Sequence, residues 1–492
     1  MTFILIGARL RAHFVRAAHW FAALGFLLCS TVLHAQFGNA VDPGVRGGTV
    51  DAGLPLAALS AGQAAQFPDA KSVFEAVRSV QGNARNQPED GLGPRFNSNS
   101  CSGCHSQPAS GGTSPSARHF PFVGQNPQVA VATLSGANNR IPYFIQADGP
   151  VREARFRHVV QNGNLQAAAD GGVHALFTIA GRRDATNTVG VTGQPQTCRL
   201  AQPDFDQMRQ LNNISFRIPT PLFGAGLIEG ISDKTILDNL AANVGDKQAF
   251  RISGRPNRNG NDGTITKFGW KAQNATLLLF AGEAYSVEMG VSNEIFASER
   301  ANPGETLPVS CLFNATPEDH LKFDPDDEGP TPFPSADIQK FTTFMRFLAP
   351  PTPSTDTPGG QASIQKGGAL FRDTVKCALC HTPALRSMPS SFNAGVGPVA
   401  APLFSDLLLH NMGSTLADGV SQGLAGPREF RTAPLWGLGQ RVFFMHDGRT
   451  SDLVQVINLH GAPDSEAQET VDLFQRLSDQ DKQHLLNFLR SL

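Results

Sequence analysis

Two pentapeptides constrain this chain more than anything else in it: CSGCH at 101–105 and CALCH at 377–381. C-x-x-C-H is the attachment pattern of haem c. Two thiols add to the haem vinyl groups as thioethers, and the adjacent histidine is held under the iron. Zinc would need a second C-x-x-C near each motif to complete a tetrahedron, and neither motif has one. A thioredoxin-like redox pair does not call for the following histidine. The expectation is two covalently bound haem c groups, one on Cys101, Cys104 and His105, the other on Cys377, Cys380 and His381.

The chain has seven cysteines, so three remain. Cys29 lies in an N-terminal segment where Arg9, Arg11 and Arg16 precede the apolar run FAALGFLLCSTVL and then HAQ. This is a secretory signal pattern, with cleavage expected after Ala35. The run is short for a spanning helix, and no later stretch of the sequence reaches about 18 consecutive apolar residues. The reading is a signal peptide over 1–35 and a mature protein exported to the periplasm, with no transmembrane segment after cleavage; secretion or a retained signal anchor are the alternatives. Such a compartment tolerates disulfides. Pairing Cys198 with Cys311 is the simplest use of the last two thiols; two unrelated buried thiols are the other reading.

Composition narrows the rest. A net charge of -2 with 17% charged residues leaves no nucleic-acid footprint. The 49 Gly and 34 Pro predict a loop-rich chain without long uninterrupted elements. Phenylalanine is abundant, 34 against 2 Tyr, which permits an apolar pocket. The stretch LAPPTPSTDTPGG at 348–360 reads as a linker. It divides the chain into an elaborated N-terminal cytochrome c-like haem domain over 36–350, a linker over 351–362 and a C-terminal cytochrome c domain over 363–492.

The two parts share a plan. ASIQKGGALFRDTVKCALCH reads as a short amphipathic helix running into the second haem motif, and LSDQDKQHLLNFLRSL as a capped terminal helix. In the first part FPDAKSVFEAVRSV at 67–80 precedes the haem motif, and SADIQKFTTFMRFLAP at 335–350 closes it. Between them SFRIPTPLFGAGL at 215–227 echoes EFRTAPLWGLG at 429–439, and WKAQNATLLLFA at 270–281 echoes HDGRTSDLVQVI at 446–457. The expected fold is mainly α with extensive loops: two class I cytochrome c-like domains, the first enlarged by insertions around 120–210 and 235–265.

The ordered set DGLGPRFNSNSCSGCH, GGVHALFTIAGR, RIPTPLFGAGLIEGI, FGWKAQ, VEMG, HNMG, REFRTAPLWGLG and FMHDGR resembles the bacterial di-haem cytochrome c peroxidase superfamily. Within it the pattern is most similar to the di-haem oxidoreductase family, also labelled thiol oxidoreductases. The resemblance runs from about residue 90 to the C-terminus. It implies a peroxidase-like oxidoreductase of the EC 1.11.1 type, with one electron-transfer haem and one reactive haem. The implied partners are hydrogen peroxide or another small oxidant, and a small redox protein of cytochrome c or cupredoxin type as donor. The thiol label gains no support, because haem takes all but two of the mature cysteines.

The resemblance also implies roles. Trp270 matches the tryptophan between the two haems, against the bland reading of a packed aromatic. Glu288 in VEMG matches the general acid–base beside the reactive haem, against that of a surface carboxylate. One departure stands out: the glutamine that accompanies this glutamate in the peroxidases falls at Phe280, which cannot hydrogen-bond peroxide. His460 falls where the distal ligand of the second haem, usually methionine, is found. A plain class I cytochrome would place that ligand at Met445, and Met412 in HNMG is a third choice. His446 in HDGR is expected to order the haem-edge loop by hydrogen bonding. The first haem is expected to be five-coordinate at some stage, with His119 or His174 as a displaceable distal ligand. NRNGNDGT at 257–264 resembles a calcium loop in composition, and the peroxidases hold calcium between their haems. Two rival functions remain: a non-catalytic di-haem electron-transfer cytochrome, and a haem-dependent oxidase or oxygenase of an organic substrate.

Overall fold

The computed structural model describes residues 39–46, 51–80, 91–117, 125–134, 136–137, 139–161, 163–179, 198–313, 317–320, 336–355, 359–389 and 398–492. The signal segment with Cys29, and His119, lie outside the described residues. Six helices frame the two haem motifs: α1 (Ala61–Glu75), α2 (Leu277–Ala284), α3 (Asp337–Phe347), α4 (Gly360–Ala369), α5 (Leu453–Leu459) and α6 (Asp479–Ser491). Strands are few and short. A three-stranded antiparallel sheet has β1 (Glu153–Phe156) between β2 (Val173–His174) and β3 (Ile214–Arg217), and β4 (Leu409–Asn411) pairs with β5 (Glu429–Arg431).

Local chemistry sets the helix ends. The Ser60 hydroxyl accepts from the Gln63 amide, and the Gln63 side chain returns a bond to Ser60, which starts α1 well before residue 67. Ser478 caps α6 in the same way, with Asp479 and Asp481 in the first turn and Arg490 in the last. Thr276 caps α2 and Asp452 caps α5.

Packing repeats the same arrangement twice. α1 packs on α3 ahead of the first haem motif, and α4 packs on α6 ahead of the second. Phe74 of α1 meets the His105 ring at 6.2 Å and Phe344 of α3 at 4.5 Å. Phe371, in the π-helical turn after α4, meets the His381 ring at 6.3 Å and Phe488 of α6 at 5.3 Å. Burying each such side chain stabilises the fold by roughly 1.5–3 kcal/mol. Gly367 lets α4 and α6 touch backbone to backbone: a Cβ there would overlap the His484 carbonyl.

The two parts grip one another reciprocally. The Ile218 N–H, just after β3, donates to the His446 carbonyl at 2.8 Å, and the Arg431 N–H at the end of β5 donates to the Trp270 carbonyl at 2.9 Å. Asp418 takes Arg217 at 2.7 Å and Lys271 at 3.1 Å, all buried. The segment 41–46 crosses to the C-terminal part, where Arg490 donates to both Asp42 oxygens at 2.7 Å. Residues Val41–Leu492 cluster as one unit. Cys198 and Cys311 are joined by a disulfide.

Candidate active site: two clefts joined at a tryptophan

CSGCH forms a single helical turn, Cys101–Cys104, and the loop behind it returns so that His105 Nδ1 donates to the Gly112 carbonyl at 2.9 Å. A carbonyl can only accept, so this bond fixes the tautomer and leaves Nε2 with its lone pair. Burial pushes the ring down to about 4, which keeps it neutral. His381 repeats the device, with Nδ1 on the Phe404 carbonyl at 2.9 Å and a ring held at about 4. Cys101, Cys104, Cys377 and Cys380 carry free thiols, and each pair lines a cleft with its histidine. The first cleft spans about 1080 Å³ and the second about 1380 Å³, with the space at their open mouths included. Two thiols and one oriented neutral imidazole per cleft fit a covalently held haem.

Trp270 lines both clefts and a smaller cavity between them. Its Nε1 donates to the Ile218 carbonyl at 2.9 Å, which fixes the indole plane. His446 stands edge-on to Trp270 at 6.5 Å and stacks on Phe430 at 4.5 Å. His446 lies in the second cleft, and its backbone carbonyl accepts the Ile218 N–H at 2.8 Å.

Glu288 lines the first cleft from the π-helical segment Tyr285–Met289 that continues α2. Gly290, in the left-handed region at φ 74°, ends that segment where a Cβ would overlap the Arg95 carbonyl. The Asn97 amide donates to Glu288 Oε2 at 2.9 Å, while the Asn97 and Ser98 N–H groups donate to the Glu288 carbonyl at 2.7 and 3.0 Å. The segment that leads into CSGCH is therefore what aims the carboxyl. Burial, and next the Glu153 carboxylate, push Glu288 up to about 8, while the Asn97 bond and the charges of Arg300 and Arg155 pull the other way.

Gln273 and Glu153 also line this cleft and were not singled out in the sequence. Gln273 Oε1 is buried without a hydrogen-bond partner. Gly269, at φ 84°, makes room for it, since a Cβ there would overlap the Gln273 amide. Gln273 is the last residue of the motif FGWKAQ, so its signal was present beside Trp270. Phe280 lines this cleft and the central cavity, stacked on Phe268 at 6.3 Å.

His460, Met445 and Met412 all line the second cleft. His460 Nδ1 donates to the Val456 carbonyl at 2.7 Å, so its Nε2 is also left free. His410 lines the same cleft but has both ring nitrogens engaged, Nδ1 with Glu466 at 2.7 Å and Nε2 with Asp406 at 2.9 Å. The structure does not bring His174 to the first cleft. It lies on β2 with Nδ1 on the Gly172 carbonyl at 2.8 Å and its ring stacked on Phe156 at 3.9 Å. The side chains of the 257–264 turn satisfy its own backbone and neighbours. Asp262 accepts from the Thr264 N–H at 3.0 Å, and Asn257 donates to the Lys271 and Gln422 carbonyls at 2.8 and 3.1 Å. Among the described residues no three His, Cys, Asp or Glu side chains converge as a metal-holding group. No helix among the described residues is long and apolar enough to cross a membrane.

No curated protein matches the chain. Among solved structures, a MauG-like protein associated with microbial copper homeostasis is 18% identical, over 49% of this chain and 78% of that one, with a TM-score of 0.25. Hydrazine synthase of Kuenenia stuttgartiensis is 17% identical, over 33% of this chain, with a TM-score of 0.22. The match spans 58% of that chain's length. At these scores neither likeness carries an argument. The family described as "Di-haem oxidoreductase, putative peroxidase" matches residues 169–492, a span that holds Trp270, Glu288 and CALCH, while CSGCH precedes it. With the matched span covering well over half its length, the chain belongs to the di-haem oxidoreductase family.

Proposed function

We propose that the protein is an exported di-haem c-type oxidoreductase of peroxidase type, in which a reactive haem fills the first cleft and an electron-transfer haem the second. The observation that carries this reading is Glu288, a carboxyl pushed up to about 8 in the same cleft as His105 and Trp270. When bound, haem supplies the redox centre at which a peroxide O–O bond is reduced. Glu288 takes the proton from the near peroxide oxygen and returns it to the leaving one, and a group titrating close to the working pH is suited to both steps. The Gln273 amide offers a donor and an acceptor in that cleft and compensates for Phe280. Trp270 relays electrons between the clefts, and the donor is a small redox protein of cytochrome c or cupredoxin type. His460 would hold the iron of the second haem: it lines that cleft, and its Nδ1 is anchored on a carbonyl as in His105 and His381, which leaves Nε2 with its lone pair.

The helix-pair and ring-stacking repeats support two cytochrome c-like domains, the first enlarged by insertions. Electron paramagnetic resonance of the purified protein tests the assignment. One high-spin and one low-spin haem, with turnover of hydrogen peroxide against a reduced cytochrome, is the expected result. Two low-spin six-coordinate haems without turnover would identify an electron carrier instead.

A further inference from the structure

Arg431 and Arg441 are buried cations where the second cleft meets the central cavity. Each is 8% exposed, and both line the second cleft and the central cavity beside Trp270. Their side chains donate to carbonyls: Arg431 to Gly269 at 2.9 Å and Thr432 at 3.2 Å, and Arg441 to Pro434 at 3.0 Å. Neither forms an ion pair with a carboxylate among the described residues. Arg441 instead feels the like charge of Arg431, and burial brings both down to about 10. Asp406, whose charge acts on Arg431, is hydrogen-bonded to His410.

Three other buried arginines each have an acid: Arg217 has Asp418, Arg78 has Asp337 and Arg490 has Asp42. The contrast with Arg217 is the telling one, since it occupies in SFRIPTPL the place that Arg431 occupies in EFRTAPLW. The motif itself therefore does not exclude a carboxylate partner. Two buried guanidinium groups that repel one another and lack a direct carboxylate contact are unfavourable, and their planar forks match carboxylates.

We propose that Arg431 and Arg441 form the carboxylate clamp of the second cleft, receiving the propionates of the haem attached at Cys377 and Cys380 on the side that faces Trp270. The clamp raises that haem's potential by favouring its less positive, reduced form, and it fixes the haem edge toward the indole. This inference rests on the haem reading above. The test uses the holoprotein: haem content by the pyridine haemochrome assay, then an equilibrium redox titration of each haem. In Arg441→Gln and Arg431→Gln variants that keep two covalent haems, the midpoint of the low-spin haem is expected to fall, with the other midpoint unmoved. An unchanged midpoint in both variants overturns the clamp. Wild-type protein lacking covalent haem would overturn the haem reading itself, a separate result. Where a Gln variant does not accumulate, Arg441→Lys decides by resonance Raman spectroscopy. The clamp predicts a shifted propionate bending band, and an unshifted band overturns it.

Discussion

The turn carrying Trp270 and the turn carrying His446 are built alike and end differently. Each is closed by a backbone bridge, Phe268 to Asn274 and Phe444 to Thr450, and each runs into a capped helix, α2 after Thr276 and α5 after Asp452. At a constant offset along the chain the last residue of α2, Ala284, corresponds to His460 at the end of α5. Ala284 lines the first cleft and His460 the second. A methyl group cannot ligate iron, whereas an anchored imidazole can. The same scaffold thus offers a ligating side chain at this position of the second cleft and none at the corresponding position of the first. Elsewhere the first cleft has Glu288 and Gln273, and the second has the Arg431–Arg441 pair.

The largest test of this comparison removes one side of it. A Cys377→Ala, Cys380→Ala variant should retain one covalent haem of two and lose donor-driven turnover, which a haemochrome assay and a steady-state assay check together. Two haems retained would break the assignment of CALCH. Next, Glu288→Gln should lower peroxide turnover by about 10²–10⁴-fold with both haems in place; unchanged kinetics would refute the acid–base role. The same variant bears on stability. Glu288 titrates at about 8 in the folded chain against its ordinary 4.5, so between those values the folded state keeps a proton that the unfolded state has lost. Stability therefore falls as pH rises from about 4.5 to about 8, and Glu288→Gln should remove that part of the slope in urea midpoints measured across the range.

Smaller effects sharpen the contrast. The disulfide lies in the first part only and closes a separation of 113 residues. Replacing Cys198 and Cys311 with Ser should cost about 2–5 kcal/mol in chemical denaturation. The second haem's spectrum should change little. His460→Ala should reproduce the Ala284 condition in the second cleft, turning its low-spin signal high-spin while peroxide-binding spectra of the first haem stay as they were. A second haem that stays low-spin would direct attention to Met445 or Met412.

Much was legible in the residues. Attachment chemistry is a covalent requirement, so Cys, Cys and His at fixed spacing announce it wherever the chain goes. Helix caps and heptad-like apolar spacing are local too, which is why α4 and α6 could be read directly. Trp270 and Glu288 were found by resemblance, and the structure puts both on the wall of the first cleft. His174 could not be judged in this way, because a lone histidine carries no sign of whether it faces a cavity or, as here, stacks on Phe156.

By itself the sequence determined the family resemblance, the two C-x-x-C-H motifs with the thiols and histidines that would hold haem, and the expectation of two parts on one plan. Only the tertiary structure decided how each site differs. A pKa depends on what surrounds a group, so the upward shift of Glu288 needs its burial and the Glu153 carboxylate, which is remote in the chain. The exclusion of His410 from ligation needs Asp406 and Glu466. That Arg431 and Arg441 form no ion pair among the described residues is a property of packing, and no local run of residues encodes it.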